Sequence, residues 1–276
     1  MEAISKIYPN ASIKGIEPSE QESDNARENG FPVITTKLNT QKDIRGEYDL
    51  VYSTNVIEHT TDPIDFLKSL KSLVNNDGFI VLTCPDSSYP NAEFMFSDQN
   101  YSFTPGQLIK IAKISGLHLV AWKSAPDVDT LKDKQLLVLS KSHNTSLNYR
   151  SEKYLPVNLE KLYFDRCRYV ESYLKCDEYL FERVKCFENV YNFGTSTWSL
   201  LLAAYCPNYW KKVSRCVIDG GSGVFQGKVV VDFNHLEKSD HNVVVLGINP
   251  FTQSLFSQRF KSKNILFVCW NQIVIR

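Results

Sequence analysis

The stretch YDLVYSTNVIEHTTDPIDFLKSLKSLVNNDGFIVLTCPD, Tyr48 to Asp86, changes its apolar spacing twice. YDLVYST is a near-continuous apolar run, the pattern of a strand buried on both faces of a parallel sheet. Asp62 then stands as the N-cap of a helix that Pro63 opens, and apolar residues recur at helical spacing through DFLKSLKSLVNN. Gly78 is placed to close that helix, and FIVLTC resumes the extended pattern. A strand, a helix and a strand in succession argue a parallel pair joined by a crossover.

The same alternation continues in both directions. Upstream, IKGIE reads as a strand that runs into PSEQESDNARENG, where Ser19 and Glu22 have capping-box spacing and Gly30 sits at a helix end. FPVITTKL is a further strand, followed by a polar stretch. Downstream, Thr104, Pro105 and Gln107 open a helix that runs to Gly116, and LHLVAWKSA and QLLVLSKS read as two closing strands joined by the polar loop PDVDTLKDK. Strands alternating with helices predict a mainly parallel sheet covered on both faces.

Composition narrows the function classes. Lysine plus arginine and aspartate plus glutamate both number 31, so the chain has no net charge with which to grip nucleic acid or an anionic membrane. The seven cysteines form no C-x-x-C pair and the five histidines are scattered, which argues reduced thiols in a cytoplasmic protein and against a metal site. No apolar run approaches the roughly 20 residues that span a bilayer.

In its order of features, Tyr48 to Asp86 resembles the class I S-adenosylmethionine-dependent methyltransferases. Their fourth strand ends in a turn with an acid-histidine pair, here Asn55 to His59, followed by a proline-led helix and a fifth strand. The resemblance covers residues 1–142, including SFTPGQLIKIAKISGLHLV, and implies S-adenosyl-L-methionine as cofactor. It puts Glu17, followed by Pro18, on the ribose hydroxyls, Lys37 and Leu38 near the adenine, and Asn55 and Val56 beside the methionine. A carboxylate at the end of a parallel strand suits ribose binding on general grounds as well. Glu58 and His59 are the candidate catalytic residues, His59 because an imidazole titrates near neutrality, with turn formation as their alternative role. The long aromatic loop Ser87 to Phe103 is expected to cover the substrate. The family's acid-x-glycine-x-glycine loop is not in the sequence, and EAISKIYPN reads as the second half of the helix that would follow it, so an amino-terminal truncation is expected.

Residues 143–158 read as a linker, and LEKLYFDRCRYVESYLKCDEYLFERVKCF as one long or two broken helices. NVYNFGTST, VSRCVIDGG, KVVVDF, NVVVLGINP and KNILFVCW then supply strands, with Gly194 and Asp219 as candidate cofactor contacts. A helical segment and a Rossmann-like domain behind a methyltransferase domain loosely resemble sugar C-methyltransferases. That resemblance implies a small-molecule acceptor, such as a nucleotide-linked sugar or a glycan. The expected fold is therefore α/β: a Rossmann-like methyltransferase sheet without its first strand over 1–142, a helical linker over 143–187, and a second, smaller Rossmann-like domain over 188–276. The expected activity is methyl transfer to a sugar or other polar small molecule, possible loss of cofactor binding included. The alternative is a non-catalytic two-domain binding or scaffold protein.

Overall fold

The computed structural model describes residues 1–38, 46, 48–124, 134–142, 153–236 and 239–273. The loop expected before Lys134 and residues 143–152 of the expected linker lie outside the described residues. The chain divides into two units: Met1–Ser87, Ala92–Pro126 and Asp133–Pro156 form the first, and Ser88–Asn91, Asp127–Lys132 and Val157–Arg276 the second.

The first unit opens with helix α1 (Glu2–Ile7), strand β1 (Gly15–Glu17), helix α2 (Glu20–Glu28) and strand β2 (Val33–Thr35). β1 and β2 pair in parallel as a two-stranded sheet, Glu17 opposite Thr35. The Ser19 hydroxyl accepts from Glu22 N at 3.4 Å and so starts α2 as its spacing predicts. A second sheet holds β3 (Tyr48–Thr54), β4 (Val74–Pro85), β6 (Lys134–Ser140) and β5 (His118–Ser124), in that order. β3 and β4 are parallel, joined by α3 (Pro63–Leu73), while β6 runs antiparallel to both β4 and β5. Asp62 caps α3 by accepting from Ile64 N and Asp65 N. Helix α4 (Pro105–Ile114) begins at the Thr104–Gln107 capping box.

One face of this sheet buries Ile80, Leu82, Cys84, Leu137 and Leu139 against Phe66, Leu67 and Leu70 of α3 and Leu108 and Ala112 of α4. Each such aliphatic side chain contributes about 1.5–3 kcal/mol by leaving water. The apolar residues of α3 recur at the helical period because only one stripe of the helix meets the sheet.

Two expectations are corrected here. β3 is not buried on both faces: Leu50 is 46% and Tyr52 41% exposed, because among the described residues β3 pairs with β4 alone and ends its sheet. Gly78 does not close α3, which stops at Leu73; it lies inside β4, at an irregularity that sets Tyr48 opposite Val74 but Leu50 opposite Phe79. A Cβ on Gly78 would stand 2.7 Å from the Asp49 carbonyl oxygen, so the close backbone approach, not a helix end, requires glycine there.

The second unit has helix α5 (Leu159–Val184), strand β7 (Asn189–Phe193), helices α6 (Thr197–Tyr205) and α7 (Pro207–Lys212), and strands β8 (Val213–Ile218), β9 (Gly223–Phe225), β10 (Lys228–Asp232) and β11 (Asn242–Leu246). Helix α8 (Gln253–Ser262) and strand β12 (Phe267–Val268) complete it. The six strands form one sheet in the order β12-β11-β7-β8-β10-β9, parallel except for the β10–β9 hairpin. Its strand order reverses between β7 and β11, as in doubly wound folds. The expected second Rossmann-like domain is thus built on six strands. α5 is one unbroken helix, and Asp177 on it accepts from Asn208 and Tyr209 at the start of α7, which docks the helix on this unit.

Candidate active site

The residues singled out in the first unit collect at the carboxyl ends of parallel strands β1 and β3. Glu17 ends β1, half-buried, and its Oε1 accepts from Ser19 N at 2.8 Å. Its backbone carbonyl accepts from Thr36 N at 3.0 Å, which brings the turn after β2 beside it. In that turn Lys37 is exposed, while Leu38 packs on the sheet's core. Pro18 is exposed at the mouth of the β1–α2 turn.

β3 ends in a tight reversal. Asn55 adopts φ 51°, a left-handed conformation that asparagine tolerates better than most residues, and its N–H donates to the Thr83 carbonyl at 3.0 Å. Val56 is exposed, Ile57 and Glu58 turn inward, and His59 turns back to the surface. Residues 57–59 form a single short 3-10 turn, whose three residues per turn let Ile57 and Glu58 face inward while His59 faces out.

The segment 96–103 is tied down onto this reversal. Asn100 N and Tyr101 N both donate to the Glu58 carbonyl, at 2.9 and 3.1 Å. The Asn100 amide donates to the carbonyls of His59 and Thr60, and the Tyr101 hydroxyl to that of Thr61. His59 Nδ1 lies 2.7 Å from the Asp98 carbonyl oxygen, which can only accept, so Nδ1 donates there and Nε2 is the ring nitrogen left to face a ligand. The Asp98 carboxylate stands 3.7 Å from the same nitrogen.

Glu58 is 2% exposed, and its Oε2 has no hydrogen-bond partner among the described residues. Burial raises its carboxyl above the ordinary glutamate range, against the opposing pull of its own backbone amide, His59 and Lys134. Ser53 Oγ, also buried and without a partner, lies on the sheet face of Leu82, the residue it pairs with. Cys84 is fully buried in β4, and its thiol is pushed well above its usual range by burial, then by Glu58, Glu93 and Asp86, with Lys134 opposing. Lys134 donates to Glu93 at 2.5 Å.

In the second unit Asp219 does not stand open. Arg259 of α8 holds it through both nitrogens and keeps its carboxyl below the usual range. Gly194, at φ 116°, lies so close to β11's end that a Cβ would meet the Gly247 carbonyl oxygen at 2.8 Å. Ser199 and Gln253 donate to carbonyls of the same turn, Gly247, Leu246 and Ile248.

Residues 2–124 match a family model described as a methyltransferase domain. The match spans less than half of the chain and likens this part to methyltransferase domains. No curated protein matches the chain. Among solved structures, it is similar to the CcbJ methyltransferase of Streptomyces caelestis at 15% identity and TM-score 0.42, covering 50% of this chain and 78% of that one. It is similar to an S-adenosylmethionine-dependent methyltransferase of Thermotoga maritima at 17% identity and TM-score 0.40, covering 47% and 72%. A third likeness, at 13% identity and TM-score 0.41 and covering 50% and 64%, is to the 1,6-didemethyltoxoflavin-N1-methyltransferase of Burkholderia thailandensis, solved with S-adenosylhomocysteine.

Glu17 offers a carboxylate at the end of β1, and the Asn55 reversal ends β3. Between them, both sheets stop: β1 pairs only with β2 and β3 only with β4, so each keeps one edge without a strand among the described residues. The loop Ser87 to Phe103 was singled out from the sequence as a substrate cover; what that reading missed is that its Asp98 to Tyr101 segment bonds the 58–61 turn and orients His59. Among the described residues no group of three or more histidine, cysteine, aspartate or glutamate side chains is placed to hold a metal.

Proposed function

We propose that the methyltransferase domain transfers a methyl group to a hydroxyl or carbanion of a sugar or other polar small molecule, and that a strand with a glycine-rich loop, lying between β1 and β3, completes its cofactor site. The observation that carries this reading is the pair of open parallel edges, β1 with Glu17 at its end and β3 with the Asn55–His59 reversal at its end. A two-stranded parallel sheet is marginal by itself, and one parallel strand would merge both sheets. Bound S-adenosylmethionine would supply an electrophilic methyl group on its sulfonium.

Glu17 would accept from the ribose hydroxyls, with Pro18 holding the turn open, and Lys37 and Leu38 would border the adenine. Asn55 and Val56 would line the methionine. His59 Nε2 would take the proton from the attacking hydroxyl, supported by the Nδ1–H held on Asp98. Glu58 would face the acceptor from inside the same turn. For the second unit by itself, a nucleotide-linked sugar or glycan is the kind of ligand its doubly wound order supports. The cytoplasm is the compartment we assign, on the strength of seven free thiols.

Isothermal titration with S-adenosylhomocysteine, on this chain and on one extended upstream, tests the reading. Binding at least tenfold tighter by the extended chain, and weakened about tenfold by Glu17→Gln, is expected from loss of a charge-assisted hydrogen bond. No binding by the extended chain overturns it.

A further inference from the structure

We propose that Asn100 is a positioning residue for the transfer: by bonding the turn that carries His59, it holds the imidazole in the form whose Nε2 can take a proton. This rests on the methyltransferase reading with His59 as its base, and names what keeps that base in order. The 3-10 turn uses the carbonyls of Val56 and Ile57 internally, for His59 N and Thr60 N. The carbonyls of Glu58, His59 and Thr60 come after the last of these bonds, as at a helix end, and need donors from elsewhere. Asn100 supplies them: its N–H donates to Glu58 at 2.9 Å, and its amide to His59 at 2.9 Å and to Thr60 at 3.3 Å. Asparagine suits the place, because its side-chain nitrogen carries two hydrogens on a short stem. Aspartate has the same shape with no donor, and alanine has no amide at all.

The imidazole's partner lies just earlier on the same segment, where the Asp98 carbonyl oxygen accepts from His59 Nδ1 at 2.7 Å. Seating Asn100 on the turn therefore places Asp98 against the ring. In a neutral imidazole, a proton kept on Nδ1 leaves the Nε2 lone pair open, whereas a free histidine side chain prefers the proton on Nε2. When the segment is unseated, Nδ1 loses its acceptor, the proton returns to Nε2 and the base is disarmed. Tyr101 secures the far end of the segment, its N–H on Glu58 at 3.1 Å and its hydroxyl on Thr61 at 2.9 Å. Its hydroxyl thus holds a carbonyl beyond His59, while the Asn100 amide holds that of His59 itself. Loss of one or the other should therefore act differently on the ring.

The test is nitrogen-15 NMR of the histidine rings of this chain, without methyl donor or acceptor, at about pH 9, above the ordinary imidazole range. The His59 signals are assigned by their loss in His59→Gln. Nδ1–H is expected as the major form in the parent. Asn100→Asp is expected to lower the ratio of Nδ1–H to Nε2–H about tenfold, with circular dichroism unchanged. Asn100→Ala, which serves if Asn100→Asp does not fold, should lower it about threefold. Tyr101→Phe should leave the ratio as it is. A parent with Nε2–H as its major form, a ratio unmoved in a folded Asn100 variant, or an equal shift in Tyr101→Phe each overturns the proposal. No transfer is measured, so such a failure is distinct from failure to bind S-adenosylhomocysteine and from a transfer rate that does not depend on His59.

Discussion

His59 and Glu58 are neighbours in the chain and opposites in environment, and that contrast sets their tests. Replacing His59 by alanine should lower the transfer rate by about 10²–10⁴-fold, the usual worth of a positioned base, while S-adenosylhomocysteine affinity, measured by titration, stays the same. Glu58 acts on stability instead. Burial raises its folded carboxyl above the unfolded value, so its favourable share of stability is present below the ordinary glutamate range and is lost as pH rises through the raised folded value. Glu58→Gln, which never ionises, should therefore gain in melting temperature relative to the parent as pH climbs from about 4 to 8. A difference that stays flat or shrinks across that range would refute the burial argument. Neither contrast can be read from VIEHT alone, because Glu58 is enclosed and His59 oriented by residues some forty positions later.

Elements were the scale at which the sequence spoke most clearly. The helix starts at Ser19, Asp62 and Thr104 are written in their caps, and the structure has all three. Asp62→Ala should cost about 1 kcal/mol, since it leaves Ile64 N and Asp65 N without their acceptor, and urea unfolding would read it. Gly78 marks where local reading failed. A glycine after a helical pattern suggests a stop, yet the reason for this one is a non-local approach to the Asp49 carbonyl across the β3–β4 pair. Gly78→Ala is expected to destabilise by about 1–3 kcal/mol, as overpacking against backbone does; a loss under a few tenths would mean the irregularity can open. The same limit explains β3: an apolar run announces a strand, but whether both faces are covered depends on neighbours the run does not encode.

For the molecule as a whole, two separate cores follow from the two units. Ile80, Leu82 and Leu137 anchor one, and Phe193, Val217, Phe233 and Phe260 the other, with Phe260 edge-on to Phe233 at 5.0 Å. Alternation of strands and helices predicted an α/β sheet in each half, though the first unit divides its strands between two sheets; it did not predict that α5 would join the second unit, because the Asp177 bonds to α7 connect positions 31 and 32 residues apart. Hydrogen exchange on the upstream-extended chain should show S-adenosylhomocysteine protecting segments 13–38 and 51–61 while β7, β8 and β11 exchange unchanged; protection centred on the second sheet would move the cofactor there. The unpaired side of β3 carries a last implication, for handling the protein. A strand edge with no partner among the described residues, and with Leu50 and Tyr52 exposed, is a template for any extended chain that meets it. Overproduced in this form, the chain should partition into inclusion bodies, and a lysine at position 50 or 52 should return it to the soluble fraction without touching either core.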